Sequence, residues 1–501
     1  MSRLTEEGYQ WLPFDEAWRQ IPEVDSEEAN QKWPGYTGVW CAYIFCTTAF
    51  WNLAKDIIVV SHVPLSCRAS GFNMLETHFS LHSANAFAHS PSTGVDERMV
   101  IMGGGADALA EVLRRVDQEY RPAAIVIADT CATYMIQDDV GMVVQEVEPE
   151  LQARVFYAPS PGFFAAPMGK YMERLGENMC QLIDEPEEVD PEKVNVVGFY
   201  YDSIYLEKEG RKHAGSTEGY AHLIEGIGLK PHCFIPGGEY KQMRRAAEAG
   251  VNTIHAGAWG YPLAKAMERR FGTPWLKIQL PMGPKALRRW VMELAEHTGR
   301  EAEGERFVQA EEEKLLPLFE ETRRYVEGKT FLIENSRNSQ AKMGEMLAYG
   351  RLAEELGMKV YVFNVQPIEL KAQKDEVESY VEDEGFNPTV LVGPMPYHTP
   401  VLVTDVMDDL GVNGDQVVYI YDDVFPYARA ESFDPSNTAR YTASVQMKRV
   451  KGASYIGTGY EGTAATYRGI IEAVRAAQRK SKPTLYGRIW SRTPFEFQYV
   501  K

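Results

Sequence analysis

Short apolar runs rich in β-branched residues alternate with longer amphipathic stretches along almost the whole chain. Runs this continuous predict strands that are buried on both faces of parallel sheets, with the amphipathic stretches as covering helices. The sequence therefore predicts the α/β class, with three doubly wound, Rossmann-like domains. The predicted strands are 57–62, 99–103, 123–129, 154–158, 194–201, 253–256, 330–334, 359–364, 389–393, 417–421 and 454–457.

Two breaks in composition divide the 501 residues into units of ordinary domain size. An acidic, proline-bearing connector over 184–192 precedes a fresh strand, and a charged helical stretch over 302–324 precedes another. The predicted organisation is an N-terminal extension over 1–35, α/β domains over 36–185, 190–325 and 326–475, and a C-terminal tail over 476–501.

The formal net charge of −19 argues against partners that carry negative charge. A surface this acidic repels nucleic-acid phosphates and anionic lipids, so we expect neither nucleic-acid binding nor membrane binding. No stretch approaches the ~18 consecutive apolar residues of a membrane helix. The acidic, aromatic N-terminus also lacks the apolar core of a signal peptide. The expected location is therefore the cytoplasm.

Six cysteines in a long cytosolic chain do not predict a disulfide framework. Cys41, Cys67 and Cys131 lie in the first third of the chain, each beside a turn-like sequence. Cys67 and Cys131 follow the carboxyl ends of predicted parallel strands, where doubly wound sheets bind ligands. A thiolate at a helix N-terminus also has a lowered pKa, which favours metal ligation.

Two interpretations of these cysteines remain open on position alone. Cysteine is among the most buried residue types, so all three can be core thiols. Their wide spacing excludes a zinc finger, which needs close cysteine pairs, but suits a cluster assembled between distant segments or between subunits.

Longer motifs contain the cysteines. From Cys41 to Cys67 the chain passes through an aromatic-rich segment, a Lys-Asp pair, a strand and Ser-His-Val-Pro. Thr130-Cys-Ala-Thr-Tyr-Met-Ile-Gln-Asp-Asp139 places the third cysteine before an Asp-Asp turn. These motifs resemble component 1 of nitrogenase, the iron–sulfur protein of the molybdenum, vanadium and iron nitrogenases and their relatives. The resemblance covers roughly 36–475, and Gln137 stands where that family usually has glycine.

The resemblance implies a set of ligands and partners. Cys41, Cys67 and Cys131 would ligate a P-type 8Fe-7S cluster that is shared with a homologous catalytic subunit in an α2β2 assembly. Ser160 falls near the position of a serine that the family's partner subunit can place beside this cluster. Electrons would come from a separate, ATP-hydrolysing 4Fe-4S iron protein and would pass to a catalytic metallocluster in the sister subunit.

The absence of two expected ligands of the catalytic cluster indicates which of the family's two subunits the chain resembles. The family's catalytic cysteine aligns with Ala256, and no histidine occurs after His398 to serve as the second catalytic ligand. The chain therefore resembles the non-catalytic, beta-type subunit. The length and residue pattern of the 41–67 segment instead resemble those of the catalytic subunit. In that case Cys233 or His255 could supply substitute ligands for the catalytic cluster.

Substrate choice stays open as well. The departures in Ser-His-Val-Pro-Leu-Ser-Cys67 and Ile-Gln-Asp-Asp139 favour a methylthio-alkane reductase, which cleaves carbon–sulfur bonds, with a dinitrogen-reducing nitrogenase as the runner-up. A scaffold that builds a cluster and hands it on is an alternative. A metal-free α/β protein that binds sugars or nucleotides is another.

Overall fold

The computed structural model describes residues 3–20, 43, 54, 56–69, 91–160, 168–199, 216–255, 257–334, 343–365, 378–393, 401, 403–421, 443–446 and 458–478. Within these ranges the chain forms three sheets of mainly parallel strands, with α-helices between the strands. No helix in the described ranges is long and apolar enough to cross a membrane.

The strands are short and, in the sheet centres, apolar on both faces. They are β1 Gln10–Pro13, β2 Ile57–His62, β3 Ala124–Asp129, β4 Arg154–Ala158, β5 Asp190–Val197, β6 Lys230–Ile235, β7 Ala249–Ile254, β8 Trp275–Leu276, β9 Thr330–Glu334, β10 Lys359–Phe363, β11 Thr389–Val392, β12 Val417–Tyr421 and β13 Ala443–Gln446. In β2 and β3 every residue is buried, as expected for strands covered from two sides.

The helices cover the sheets. They are α1 Arg3–Glu6, α2 Phe14–Gln20, α3 Glu97–Met102, α4 Gly105–Tyr120, α5 Cys131–Met135, α6 Val140–Val147, α7 Met168–Met179, α8 Ser216–Gly226, α9 Tyr240–Met243, α10 Gly257–Phe271, α11 Pro284–Thr298, α12 Glu301–Val326, α13 Met343–Glu355, α14 Val403–Leu410 and α15 Gly459–Gln478.

The first sheet has the order β2-β3-β4 and is parallel throughout. Leu109 and Leu113 of α4 pack on one face together with Val143 of α6. Leu175 and Met179 of α7 belong to the buried cluster on the other face, which also contains residues of the second sheet. The carboxyl ends of β2 and β3 are in register, with His62 opposite Asp129.

The second sheet has the order β6-β5-β7-β8, again parallel. The third has the order β1-β11-β10-β9-β12-β13. Strand β1 pairs antiparallel with β11, with Gln10 opposite Val392, so part of the N-terminal extension completes the third sheet. The largest buried cluster contains residues from both the second and the third sheet.

Several strands have the bounds expected from sequence. The predictions at 57–62, 154–158, 330–334 and 417–421 are confirmed residue for residue. The predicted strand at 99–103 is wrong, because these residues lie in α3 and at its end. The Asp96 side chain caps α3 by accepting from the backbone N–H groups of Arg98 and Met99, and Gly103 ends it at a φ of 77°. The predicted strand at 454–457 lies outside the described residues.

Candidate functional site

Two of the three candidate cysteines meet at the carboxyl edge of the first sheet. Cys67 lies on a helical turn over 65–69 that follows β2, and Cys131 is the first residue of α5, which follows β3. Both thiols are half-buried, and the charge of Cys131 acts on the pKa of Cys67. We call this region, with His62, Thr130 and Asp138, the cysteine edge.

His62 ties together the segments that carry the cysteines. The imidazole is fully buried, and its Nδ1 lies 3.0 Å from Thr93 Oγ1 while its Nε2 lies 3.1 Å from Asp138 Oδ2. The His62 carbonyl accepts from Thr133 Oγ1 at 3.1 Å. Burial lowers the pKa of His62, and the neighbouring Asp138 carboxylate opposes this effect. The ring therefore fixes the end of β2 against the turn that follows α5.

The turn before α6 depends on unusual backbone. Gln137 has a φ of 58°, in the left-handed region that glycine adopts without strain. Gln137 therefore has the backbone conformation of a glycine position. Gly105, the first residue of α4, packs against Asp138, since a Cβ at this position would lie 2.1 Å from Asp138 Oδ2. Only glycine lets α4 begin this close to the Asp138 carboxylate.

Ser160 lies at the same edge and is held by Asp129. Its backbone N–H donates to Asp129 Oδ1 at 2.5 Å, and its hydroxyl donates to the Asp129 carbonyl at 2.8 Å. Tyr157 Oη donates to Asp129 Oδ2 at 2.7 Å. Burial raises the pKa of the Asp129 carboxyl group, while these donors lower it. Ser160 thus packs against the strand end that precedes Cys131, and its contact with a cluster stays a prediction.

The surroundings of Cys67 are apolar with one buried hydroxyl. Burial raises the pKa of the Cys67 thiol, and the nearby Thr130 side chain opposes this rise. Paired thiols are soft ligands that suit iron–sulfur clusters, copper(I) or zinc better than magnesium or calcium. The donor set and the buried hydroxyl therefore fit a thiolate-bound iron cluster.

The described part of the cysteine edge is incomplete as a metal site. Across the described residues, no group of three or more histidine, cysteine or carboxylate side chains could hold a metal ion. Cys41 lies outside the described residues, as do Ala256 and His398. Tyr43, two residues after Cys41, is buried, and its hydroxyl donates to Ser61 Oγ at 3.0 Å. This contact anchors the chain near Cys41 to the carboxyl half of β2.

The remaining described cysteines are core residues. Burial raises the pKa of Cys233 to about 12, and its thiol donates to the Gln242 carbonyl at 3.4 Å. Cys180 is buried too, and burial raises its pKa. The Cys233 side chain packs within the buried cluster that contains residues of the first and second sheets, and this position disfavours it as a substitute catalytic ligand.

His255, the other possible substitute ligand, directly follows strand β7 of the second sheet. Its ring is buried and stacks on Phe199 with centroids 4.5 Å apart and an interplanar angle of 9°. Its Nδ1 lies 3.2 Å from Tyr220 Oη. These residues fill the region between the carboxyl ends of β5 and β7, where the strand order reverses.

A family model, described as nitrogenase component 1 type oxidoreductase, matches residues 41–429 of the 501. The chain belongs to this family. The match contains both described cysteines of the edge and all three predicted cluster ligands.

Two relatives of this component 1 family member carry different kinds of name. The nitrogenase molybdenum-iron protein alpha chain of Methanococcus maripaludis is 26% identical over 313 residues, covering 58% of this chain and 62% of that protein. The nitrogenase iron-molybdenum cofactor biosynthesis protein NifE of Rhodobacter capsulatus is 26% identical over 253 residues, 50% of each chain. The chain thus spans about half to three fifths of the length of these relatives.

Solved structures agree on the fold. A structure described as nitrogenase Cp1 at pH 6.5 superposes with a TM-score of 0.66 and 16% identity, covering 88% of this chain and 93% of that chain. A second, described as nitrogenase Cp1 at pH 5, gives a TM-score of 0.64 and 17% identity. The predicted α/β class with Rossmann-like domains is confirmed.

Sequence reasoning missed the supporting residues of the site. His62 and Asp138 belong to motifs that the sequence singled out, but their pairing across 76 positions is visible only in the fold.

Proposed function

We propose that this chain is a subunit of a nitrogenase-like, two-component reductase that holds an iron–sulfur relay cluster through Cys41, Cys67 and Cys131. The observation that carries the proposal is the convergence of Cys67 and Cys131 at adjacent strand ends in a member of the component 1 family. The contact of Tyr43 with Ser61 supports adding Cys41, since only one residue separates Cys41 from Tyr43.

A bound cluster supplies redox chemistry by spreading electrons over several irons. The residues of this chain hold and orient the thiolates. His62 fixes the Cys67 segment against the turn after Cys131 through Asp138, and the buried strands β2 and β3 keep water away from one side. Burial of this kind strengthens the hydrogen bonds that tune a thiolate.

The same edge carries an apolar surface. Its exposed side chains come from the turn at 65–69, from α3 and from α5. They are Leu65, Val100, Ile101, Met102, Tyr134 and Met135. Ile101 and Met102 are 78% and 82% exposed. These exposed apolar side chains favour an interaction site near the cysteines, and three thiolates are too few for an eight-iron cluster. Both points support a homologous sister subunit that completes an 8Fe-7S, P-type site in an α2β2 assembly.

Within that assembly we assign this chain the beta-type role, with the catalytic metallocluster in the sister subunit and an ATP-hydrolysing 4Fe-4S iron protein as the electron source. Ala256 lacks a side chain that binds iron, and the Cys233 thiol is buried in the core. The relatives compared above are named alpha chain and cofactor biosynthesis protein. The second of these names favours a cluster-assembly scaffold as the alternative function.

Removing single cysteines tests the cluster assignment. The full chain would be co-expressed with its sister subunit and purified without oxygen. We expect Cys67→Ala and Cys131→Ala each to lose most of the iron and the broad visible absorption of thiolate-to-iron charge transfer. Cys180→Ala is the control and should keep both, because that thiol is buried in the core. A Cys67→Ala complex with full iron content and colour would refute the proposal.

Two further measurements separate the alternatives. An enzyme keeps its clusters during turnover, whereas a scaffold loses one when an acceptor protein is added. For substrate, the complex would be supplied with its iron protein, ATP and reductant, and then with a methyl thioether or dinitrogen. Two electrons and two protons that cleave a carbon–sulfur bond give methanethiol and a hydrocarbon, the result expected of a methylthio-alkane reductase. Efficient ammonia formation would instead identify a nitrogenase.

A further inference from the structure

Helix α11, which follows the second sheet, is capped by a residue of the third sheet's helices. Its N-cap residue is Gly283, which has a φ of 87° and no side chain with which to cap the helix. The cap comes from α13, the helix between β9 and β10, where Glu355 Oε2 accepts from the backbone N–H of Lys285 at 3.2 Å. A carboxylate at this end also meets the positive end of the helix dipole. The start of α11 therefore depends on the third sheet's layer.

Arg351 binds the same segment from a position one helical turn before Glu355. Its Nη2 donates to the carbonyl of Leu280 at 2.8 Å and to the carbonyl of Met282 at 3.2 Å. The residue is only 5% exposed, and it forms an ion pair with Glu384. A buried charge is costly unless it is paired and hydrogen-bonded. The two carbonyls must therefore stay in place for the guanidinium to remain satisfied.

Helix α15 holds the segment from another side. The backbone N–H of Gly459, its first residue, donates to the Pro281 carbonyl at 2.9 Å. Thr463 Oγ1 accepts from the backbone N–H of Gly283 at 3.2 Å. Each residue from 280 to 283 thus has a backbone group that is bound by α13 or α15. We call residues 280–285 the latch segment.

We propose that the latch segment locks residues 190–326, which carry the second sheet, to residues 330–478, which carry the third, so that the two move as one rigid body. Units joined in one chain usually move relative to each other unless their interface is large and apolar. Here the largest buried cluster contains Leu280 and Met282 together with Leu352 and Tyr467, and the polar contacts fix the orientation of this apolar interface. The inference goes beyond the proposed function and does not depend on a bound cluster.

The lock fixes the separation of two sheet edges. Helix α8 follows β5 and helix α15 follows β13, and helices in doubly wound sheets begin beside the carboxyl ends of the strands before them. The two helix starts touch, because a Cβ on Gly459 would lie 2.9 Å from the Gly219 Cα and a Cβ on Gly219 would lie 2.5 Å from the Thr458 carbonyl oxygen. The second and third sheets therefore present their carboxyl edges at a separation that is set before any ligand arrives, without hinge closure.

The test is hydrogen–deuterium exchange of the full chain, followed by mass spectrometry of peptides that cover the latch segment and the start of α15. Arg351→Met keeps a long side chain and removes the two hydrogen bonds to the latch carbonyls. The latch should then open more often, so we expect the amides of Gly283, Lys285 and Gly459 to exchange about tenfold faster. Unchanged exchange at all three amides in folded Arg351→Met would overturn the inference, since apolar packing alone would then hold the interface.

Arg288→Met is the matched control. Arg288 lies on α11 and binds Glu305 and Glu312 of α12, so these ion pairs stay within residues 190–326. The variant should leave the Gly459 amide as protected as in the wild type. An equal rise in exchange at Gly459 in Arg288→Met and Arg351→Met would contradict the latch, because loss of any arginine contact would then be enough.

Thr463→Val covers the case in which Arg351→Met does not fold. It keeps the shape of the side chain and removes the acceptor of the Gly283 N–H. We expect exchange at Gly283 to rise about fivefold. A latch opens as a unit, so the Gly459 amide should exchange faster as well. A rise confined to Gly283, or no rise at all, would overturn the inference.

Discussion

The carboxyl edges of the first and third sheets differ in how their polar groups are satisfied. At the cysteine edge two half-buried thiols lie beside exposed apolar side chains. At the third sheet, Glu334 ends β9 and is fully buried. Its carboxylate accepts from Asn364 Nδ2 at 3.2 Å and from the Tyr419 hydroxyl. We call Glu334, Asn364 and Tyr419 the glutamate edge.

The glutamate edge occupies the position where doubly wound sheets usually bind ligands. The chain passes from β9 to β10 and β11 on one side and returns to β12 on the other, so the strand order reverses beside β9. At this position the Glu334 carboxylate accepts hydrogen bonds from Tyr419 of β12 and from Asn364, the residue after β10. The same type of strand end is therefore closed by the protein's own buried polar side chains in the third sheet and carries two half-buried thiols in the first. This difference favours the first sheet as the place of the cluster.

Removing the buried carboxylate should have the largest effect on stability. Glu334→Ala leaves the Asn364 amide and the Tyr419 hydroxyl without their acceptor, so we expect the free energy of unfolding to fall by about 3 kcal/mol. Glu334→Gln keeps the shape and should cost about 1 kcal/mol. Urea unfolding gives both values. If the glutamate edge is purely structural, the folded Glu334→Gln variant should keep its full iron content. Iron loss in this variant would contradict the assignment of the cluster to the cysteine edge alone.

Removing the His62 contacts at the cysteine edge should lower the free energy of unfolding somewhat less, but it should also reduce the amount of bound iron. His62→Phe keeps a ring of similar size and removes the contacts with Thr93 and Asp138. We expect a loss of about 2 kcal/mol in the free energy of unfolding and fewer irons per chain, because the Cys67 and Cys131 segments are no longer held together. His255→Phe is the control at the second sheet, where the stacked ring is retained. Equal iron loss in both variants would contradict the claim that His62 in particular holds the two cysteine segments together.

Replacement by glycine should have smaller and opposite effects on stability at two residues with left-handed backbone. Gln137 at the cysteine edge and Asn364 at the glutamate edge have φ values of 58° and 60°. Gln137→Gly should raise the free energy of unfolding by about 0.5 kcal/mol, since the relief of strain exceeds the entropy cost of glycine. Asn364→Gly should lower it, because the Asn364 amide also holds the backbone of Val401. Thermal unfolding measures both, and destabilisation by Gln137→Gly would contradict the strain argument.

The smallest expected effect is a dependence on pH. Burial holds the pKa of His62 below its usual value, so the unfolded chain, with a histidine pKa of about 6.5, takes up the proton more readily. The stability that neutral His62 contributes is complete above that pH and falls as the pH drops toward the folded-state pKa. Between about pH 7 and about pH 5 the wild type should lose more free energy of unfolding than His62→Phe. Parallel losses would show that His62 does not titrate in this range.

Helices and strands could be predicted where the residues of a segment alone determine its secondary structure. Strands over 57–62 and 330–334 are continuous apolar runs, and burial on both faces is the one environment that suits them. The apolar run at 99–103 looks the same locally, yet it folds into α3 with none of the helix's residues buried. Asp96 and Gly103 bound that helix, and the first sheet is already covered by α4 and α6 on one face.

The sequence by itself determined which residue types could do the chemistry: Cys67 and Cys131 follow strands, stand in recognisable motifs and are too widely spaced for a zinc finger. Only the tertiary structure decided which groups surround them. The in-register pairing of β2 with β3 places the segments of Cys67 and Cys131 at one sheet edge and brings His62 to Asp138. Antiparallel pairing likewise places β1 beside β11 across 376 or more positions. Such contacts join residues far apart in the chain, and local preferences carry no information about a partner that only packing selects.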